Sequence, residues 1–110
     1  MKLPEIGQLT SRVRLFEVTG INDDRELKGS FWSKVEVVGG STYWDSAAIA
    51  ETVTHRVWLR WMRDKTSARA LGTISEVECD GVCYRVKRIT DANFAKRFTL
   101  LEVEELAMEA

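Results

Sequence analysis

The 110-residue sequence is poor in the residues that do chemistry, with one histidine and two cysteines. It contains no Gly-rich phosphate loop, no Gly-x-Ser-x-Gly elbow and no His/Asp set at metal-ligand spacing. A catalytic site needs a base, a nucleophile or a metal held by partners, so the reading is a non-enzymatic protein with no cofactor and no metal. Long apolar runs are missing as well, which leaves no segment to cross a bilayer. Met1-Lys2-Leu3-Pro4-Glu5 offers no apolar core for a secretory leader, and the expectation is a protein made and used in a cytoplasm, with no membrane partner. Neither sign of charge dominates: 16 Lys and Arg face 17 Asp and Glu. With 30% charged and 45% hydrophobic residues, the chain is globular rather than disordered or nucleic-acid-coating. No linker, repeat or low-complexity stretch divides it, so residues 1–110 are read as one domain that buries roughly two thirds of its unfolded surface.

The two cysteines flank a turn. Asp80-Gly81 is a preferred centre for a two-residue type I′ hairpin, in which Cys79 lies opposite Val82 and Cys83 opposite Glu78. The two sulfurs then point to opposite faces of the ribbon, which excludes a disulfide between them. Zinc normally takes four ligands, and the spacing is not that of a knuckle, so both thiols are read as structural.

The most informative segment is Glu51–Arg63, which alternates strictly. One face shows Val53, His55, Val57, Leu59 and Trp61; the other shows Thr54, Arg56, Trp58, Arg60 and Met62. A period of two is a strand signal, and the valine, leucine and tryptophan face belongs against a core. His55, on that face, is read as a packing residue rather than a general base. The opposite face is basic and aromatic.

Other strands read along the chain are Ser11 to Val18, Phe31 to Val38, Ile74 to Cys79, Val82 to Thr90 and Lys96 to Glu104. Thr19 to Ser30 reads as a polar loop, Gly39-Gly40 as a turn and Asp64 to Gly72 as a second polar loop. Ser41 to Thr52 is alanine-rich and does not alternate, which predicts a short helix capped at Ser41 or Thr42, with Trp44, Ala48 and Ile49 inward. The last strand carries a contrary signal: Thr99-Leu100-Leu101-Glu102 fits a capping box. A meander needs its closing partner, however, and Arg97-Phe98-Thr99-Leu100 has β character. The fold class is therefore mainly β, a small antiparallel barrel or sandwich of about six strands with one short inserted helix and long loops.

Charge is unevenly spread. Arg56, Arg60, Arg63, Lys65 and Arg69 oppose Asp64 alone, whereas Glu102, Glu104, Glu105 and Glu109 close the chain without a cation. One reading is solvated faces; the sharper one is a basic band on one copy facing the acidic end of the next, with Arg56, Trp58, Arg60, Arg63, Glu102, Glu104 and Glu105 as the candidate subunit interface. The alternative is a single-stranded nucleic-acid-binding barrel, in which arginines around Trp58 on strand 53–63 stack bases and neutralise phosphates. Arginine and large aromatics are also enriched where proteins meet, and the slightly acidic total favours the interface.

The order of these segments resembles the phage head-tail joining proteins of tailed bacteriophages and prophages, the adaptor, stopper or head-completion class. Gly7-Gln8-Leu9-Thr10-Ser11-Arg12-Val13-Arg14-Leu15 is similar to the family's opening Gly-x-Leu-x-x-Arg strand. Phe31-Trp32-Ser33-Lys34-Val35-Glu36 is similar to its Trp-Ala-x-Val-x strand, and Glu51 to Arg60 to its Thr-His strand ending in arginine. Cys79-Asp80-Gly81-Val82-Cys83-Tyr84-Arg85-Val86 resembles its x-Gly-x-x-Tyr-x-Val hairpin.

The resemblance implies a virion structural protein at the head-tail interface, assembled in the bacterial host cytoplasm. Copies would form a ring on the portal vertex, with a portal or adaptor ring on the head side and a tail terminator or tail-completion protein on the tail side. DNA would pass through the channel without sequence-specific binding. The candidate mobile or gating loops are Thr19 to Ser30, with Asn22, Asp23 and Asp24, and Gly39 to Thr52, with Gly39, Gly40, Tyr43 and Trp44.

Overall fold

The computed structural model describes residues 4–19, 24–38, 53–92 and 96–106. Six antiparallel strands close into a barrel: β1 (Ser11–Thr19), β2 (Asp24–Val37), β3 (His55–Arg60), β4 (Glu76–Cys79), β5 (Val82–Asp91) and β6 (Phe98–Glu105). Around the wall the order is β1-β2-β3-β6-β5-β4, and β4 pairs with β1 to complete it. A single 3-10 turn, Ile6–Gln8, leads into β1, and no α-helix occurs among the described residues. The helix expected over 41–52 lies outside the described residues, as do Asn22, Asp23, Gly39, Gly40, Tyr43 and Trp44.

The Asp-Gly hairpin forms in the expected register. Asp80 and Gly81 have φ of 51° and 80°, the doubly positive pair of a type I′ turn. Cys79 pairs with Val82, Glu78 with Cys83, Val77 with Tyr84 and Glu76 with Arg85. Cys79 is buried, Cys83 is half-buried and both thiols are free.

The last segment is a strand despite its helical signal. β6 is flanked on both sides, by β3 and by β5, so its main chain gains two ladders and Phe98, Leu100, Leu101 and Val103 are all buried. Tertiary pairing outweighs local propensity there.

The expected polar loop from Thr19 to Ser30 is a correction. β2 begins at Asp24 and pairs with β1 all the way from Thr19↔Asp24 to Ser11↔Ser33, so Asp24 to Ser30 is strand and not loop. The period of two is broken by a bulge: Leu15 faces Gly29 and Phe16 faces Leu27, which leaves Lys28 as the extra residue. The slip hides the alternation that identifies a strand. Lys28 Nζ lies 3.5 Å from a carboxylate oxygen of Glu26 and 3.5 Å from one of Glu17, and the two charges raise its pKa.

The barrel interior is filled. Val13, Leu15, Val57, Leu59, Val77, Cys79, Tyr84, Leu101 and Val103 pack against one another from alternate positions of their strands, as the pleat requires, and Phe31 and Val35 of β2 pack against them half-buried. His55 borders this core, with its ring edge-on to Tyr84 at 4.9 Å and its Nδ1 2.8 Å from Thr54 Oγ1. The loop between β3 and β4 plugs one end by adding Leu71 and Ile74 to the core. It is pinned through Thr66, which is fully buried: the Met62 amide donates to Thr66 Oγ1 at 2.7 Å, and the Thr99 hydroxyl donates to the Thr66 carbonyl. The Ala68 amide and Trp61 Nε1 both donate to Asp91 Oδ1, at 2.8 Å and 3.1 Å.

Candidate subunit-contact surface

Alternation along β3 sends Arg56, Trp58 and Arg60 to the outer side of the barrel, but the three meet different surroundings. Trp58 is 1% exposed. Phe98 meets its ring edge-on at 6.4 Å, and Ala92, Leu100 and Leu9 complete a second apolar cluster on the outside of the β3–β6 wall. Its Nε1 donates to Glu36 Oε1 at 2.6 Å. The expected exposed stacking or contact residue is thus a covered one, which corrects the reading of Trp58. Sequence reasoning missed the cover because Phe98 and Ala92 lie over thirty positions away in the chain.

Arg56 sits in a ladder of alternating charge. Glu36 of β2 faces Arg56 of β3, Arg56 faces Glu102 of β6, and Glu102 faces Arg88 of β5. Arg88 Nη1 lies 3.7 Å from Glu102 Oε1, and Lys87 Nζ lies 3.4 Å from Glu104 Oε1. Within one chain Arg56 thus lies opposite carboxylate-bearing positions of both neighbouring strands, while Glu102 and Glu104 have Arg88 and Lys87 beside them, and Arg56 forms no ion pair among the described residues. Two strands far apart in sequence are neighbours in a closed sheet. Arg56 Nε is itself buried and makes no hydrogen bond among the described residues.

Arg60, Arg63 and Glu105 remain exposed. Arg60 is the cation that β3 delivers to an open surface. It joins Leu9, Arg12, Ser30, Phe31, Trp32 and Met62 around a groove of about 330 Å³. The register explains the assembly: Arg12 of β1 faces Trp32 of β2, and both project outward because Val13 and Phe31 project inward. Trp32 is 55% exposed, in contrast to Trp58. The Arg12 guanidinium lies 5.1 Å from the centre of the Trp32 ring, and its Nε donates to Ser30 Oγ at 2.9 Å. Neither Arg12 nor Arg60 forms an ion pair among the described residues. The groove thus combines apolar side chains with two arginines whose charge is met by no carboxylate among the described residues. The outward parity of Arg12 and Trp32 is legible in their strands, but their meeting depends on the β1–β2 register.

A second recess of about 500 Å³ lies between Lys28–Phe31 of β2 and the loop carrying Asp64, Lys65, Leu71 and Ile74. Neither recess contains a nucleophile with an adjacent base, and no group of three or more metal-ligating side chains occurs among the described residues. Burial pushes the Cys79 thiol and the Tyr84 phenol above their ordinary pKa values, with Asp80 adding to the first and Glu105 to the second. Both groups belong to the core, away from either recess.

The phage head completion protein family matches residues 4–106 of the chain. The solution structure of protein SF1141 from Shigella flexneri 2a superimposes with a TM-score of 0.62 at 19% identity, covering 96% of this chain and 100% of that one. This likeness concerns the fold. No curated protein matches the chain.

Proposed function

The chain belongs to the phage head completion protein family, and on that premise we propose that copies of it form a ring at the portal vertex and join the head to the tail as an adaptor or stopper. The match over residues 4–106 carries the reading, because it takes in every strand of the barrel rather than one motif. A portal or adaptor ring would lie on the head side and a tail-terminator or tail-completion protein on the tail side. DNA would pass through the lumen of the ring. The barrel of a single copy has no room for it, since Val13, Leu15, Val57, Leu59 and Leu101 are fully buried in its interior. The role needs no catalysis. The nucleic-acid-binding alternative loses the residue it relied on, since Trp58 is covered.

Deletion of the gene from its phage tests the reading. The expected result is DNA-filled heads and free tails in electron micrographs, with tailed particles restored by supplying the protein. Tailed, infectious particles in the deletion strain would show the proposal wrong.

A further inference from the structure

Every ion pair among the described residues joins side chains of the strands, along the walls of the barrel. Arg60, Arg63, Lys65, Arg69, Lys96 and Arg97 enter none of these pairs, and all of them are exposed. They come from adjoining pieces of backbone at one end of the barrel. Arg60 closes β3 and faces Phe98, the first residue of β6. The Trp61 amide donates to the Arg97 carbonyl at 2.9 Å, which sets the residues before β6 beside those after β3. The loop that leaves β3 carries Arg63, Lys65 and Arg69 over the same end, where its Leu71 and Ile74 enter the core. Resting on the ring reading above, we propose that this end of the barrel faces the lumen and contacts the phosphate backbone of duplex DNA within it.

The local charge balance is strongly positive although the chain as a whole is not. The loop carries one carboxylate, Asp64, and the end of β5 a second, Asp91. Asp91 is already engaged, since its Oδ1 accepts from Trp61 Nε1 and from the Ala68 amide. Residues 93–95, outside the described residues, are Asn, Phe and Ala and bring no acid.

A polyanion suits this surface better than a protein does. Protein contacts are built round an apolar or aromatic centre and are depleted of lysine, whereas among the described residues only Met62 of this loop is a large hydrophobic side chain standing out from the surface. Duplex suits it better than single strand, because bases find no stacking platform here: Trp58 and Phe98 are each 1% exposed, and Trp61 is half-buried against Asp91. The loop backbone is held independently of the charged side chains. The Met62 carbonyl accepts from the amides of Lys65, Thr66 and Ser67, and the Ser67 hydroxyl donates to the Arg63 carbonyl at 2.8 Å. Contacts made only to phosphates carry no sequence information and let a duplex slide, as passage through a channel requires.

The test starts with the full-length chain and a fluorescent duplex of about 30 base pairs, read by anisotropy. Four to six phosphate contacts predict that affinity falls about 10²- to 10³-fold between roughly 50 and 200 mM salt. R63Q with K65Q and R69Q should weaken binding at least about tenfold, whereas K34Q with K87Q and R88Q, which changes the net charge equally but removes cations that already face carboxylates, should leave it within about twofold. No binding at low salt, or equal loss in both triple variants with circular dichroism unchanged, overturns the DNA surface. The second arm places a photoreactive side chain at position 63 or at position 37, which lies at the opposite end of the barrel facing His55, and adds each chain to DNA-filled, tailless heads from the deletion strain. The expected adduct is with DNA from position 63 and not from 37. An adduct of position 63 with a virion protein alone, on heads that do carry rings, assigns this end to an acidic protein partner and overturns the proposal while the ring reading stands. Heads that bind no chain overturn the ring reading, and the anisotropy result then decides the DNA surface by itself.

Discussion

Replacing Trp58 by alanine separates a structural tryptophan from a binding one. The side chain is 1% exposed, packs edge-on against Phe98 and donates to Glu36 at 2.6 Å. Truncating a buried aromatic of this size costs about 3–5 kcal/mol, because transfer and cavity terms add. The loss of its donor leaves Glu36 with Lys34, 3.4 Å away, so the carboxylate is not stranded and adds little to that figure. A domain of this size has about 5–15 kcal/mol of stability in total, so the variant is marginal. With an m-value of roughly 1.5–2 kcal/mol/M, the urea midpoint should fall by about 2 M. Trp58→Phe keeps most of the packing and loses the hydrogen bond, for a cost of about 1–2 kcal/mol. Trp32→Ala supplies the contrast: that ring is 55% exposed, and its removal should move stability by less than about 0.5 kcal/mol. Urea titrations followed by far-UV circular dichroism read all three. A Trp58→Ala protein with an unchanged midpoint, accompanied by loss of binding to single-stranded DNA or to heads, would refute the covered outer cluster and restore Trp58 as a surface residue.

The remaining predictions concern charge. Arg56→Glu places a carboxylate between Glu36 and Glu102 and should destabilise the isolated chain by about 1–2 kcal/mol, since two cross-strand pairs each worth roughly 0.2–1 kcal/mol change sign; Arg60→Glu should leave the urea midpoint nearly unmoved, and equal effects of the two would contradict the ladder. Burial raises the pKa of Cys79, with Asp80 adding to it, and of Tyr84, with Glu105 adding to it, so the fold favours the protonated form of both. Stability from these groups is complete below their ordinary values and is lost as pH rises through the raised ones. The melting temperature should therefore be flat through neutrality with respect to both groups and fall in the alkaline range; Tyr84→Phe should flatten the alkaline fall, and a phenol that ionises at its ordinary value without loss of melting temperature would contradict the assignment.

The parts of the fold that depend on near neighbours are legible in the sequence. The Asp80-Gly81 turn fixes the register of β4 and β5 by its own backbone preference, and the alternation of His55 to Arg60 fixes which residues enter the core. What depends on strands meeting across the barrel is not legible. Nothing near Trp58 in sequence announces Phe98, and nothing near Arg56 announces Glu102. The Lys28 bulge conceals the first half of β2 for a third reason, since a single inserted residue reverses the parity on which strand recognition rests. The candidate contact surface was therefore half visible: Arg60 belongs to it, while Arg12 and Trp32 reach it only through the β1–β2 register.

The same bulge bears on how copies can meet. A closed barrel has no free edge where its strands pair on both sides, but β2 pairs with β3 only from Ser33 to Val37, and none of Asp24 to Trp32 has a partner in β3. An open edge of that length invites strand addition. Here it is guarded by Asp24, Arg25, Glu26 and Lys28 and is kinked at Lys28, both of which disfavour a flat ladder with another chain. Main-chain pairing with another chain is thus opposed along this stretch of β2; β5 past Arg85 likewise lacks a partner in β4. The groove beside Trp32, by contrast, presents side chains, and there apolar surface coincides with two arginines that form no ion pair among the described residues.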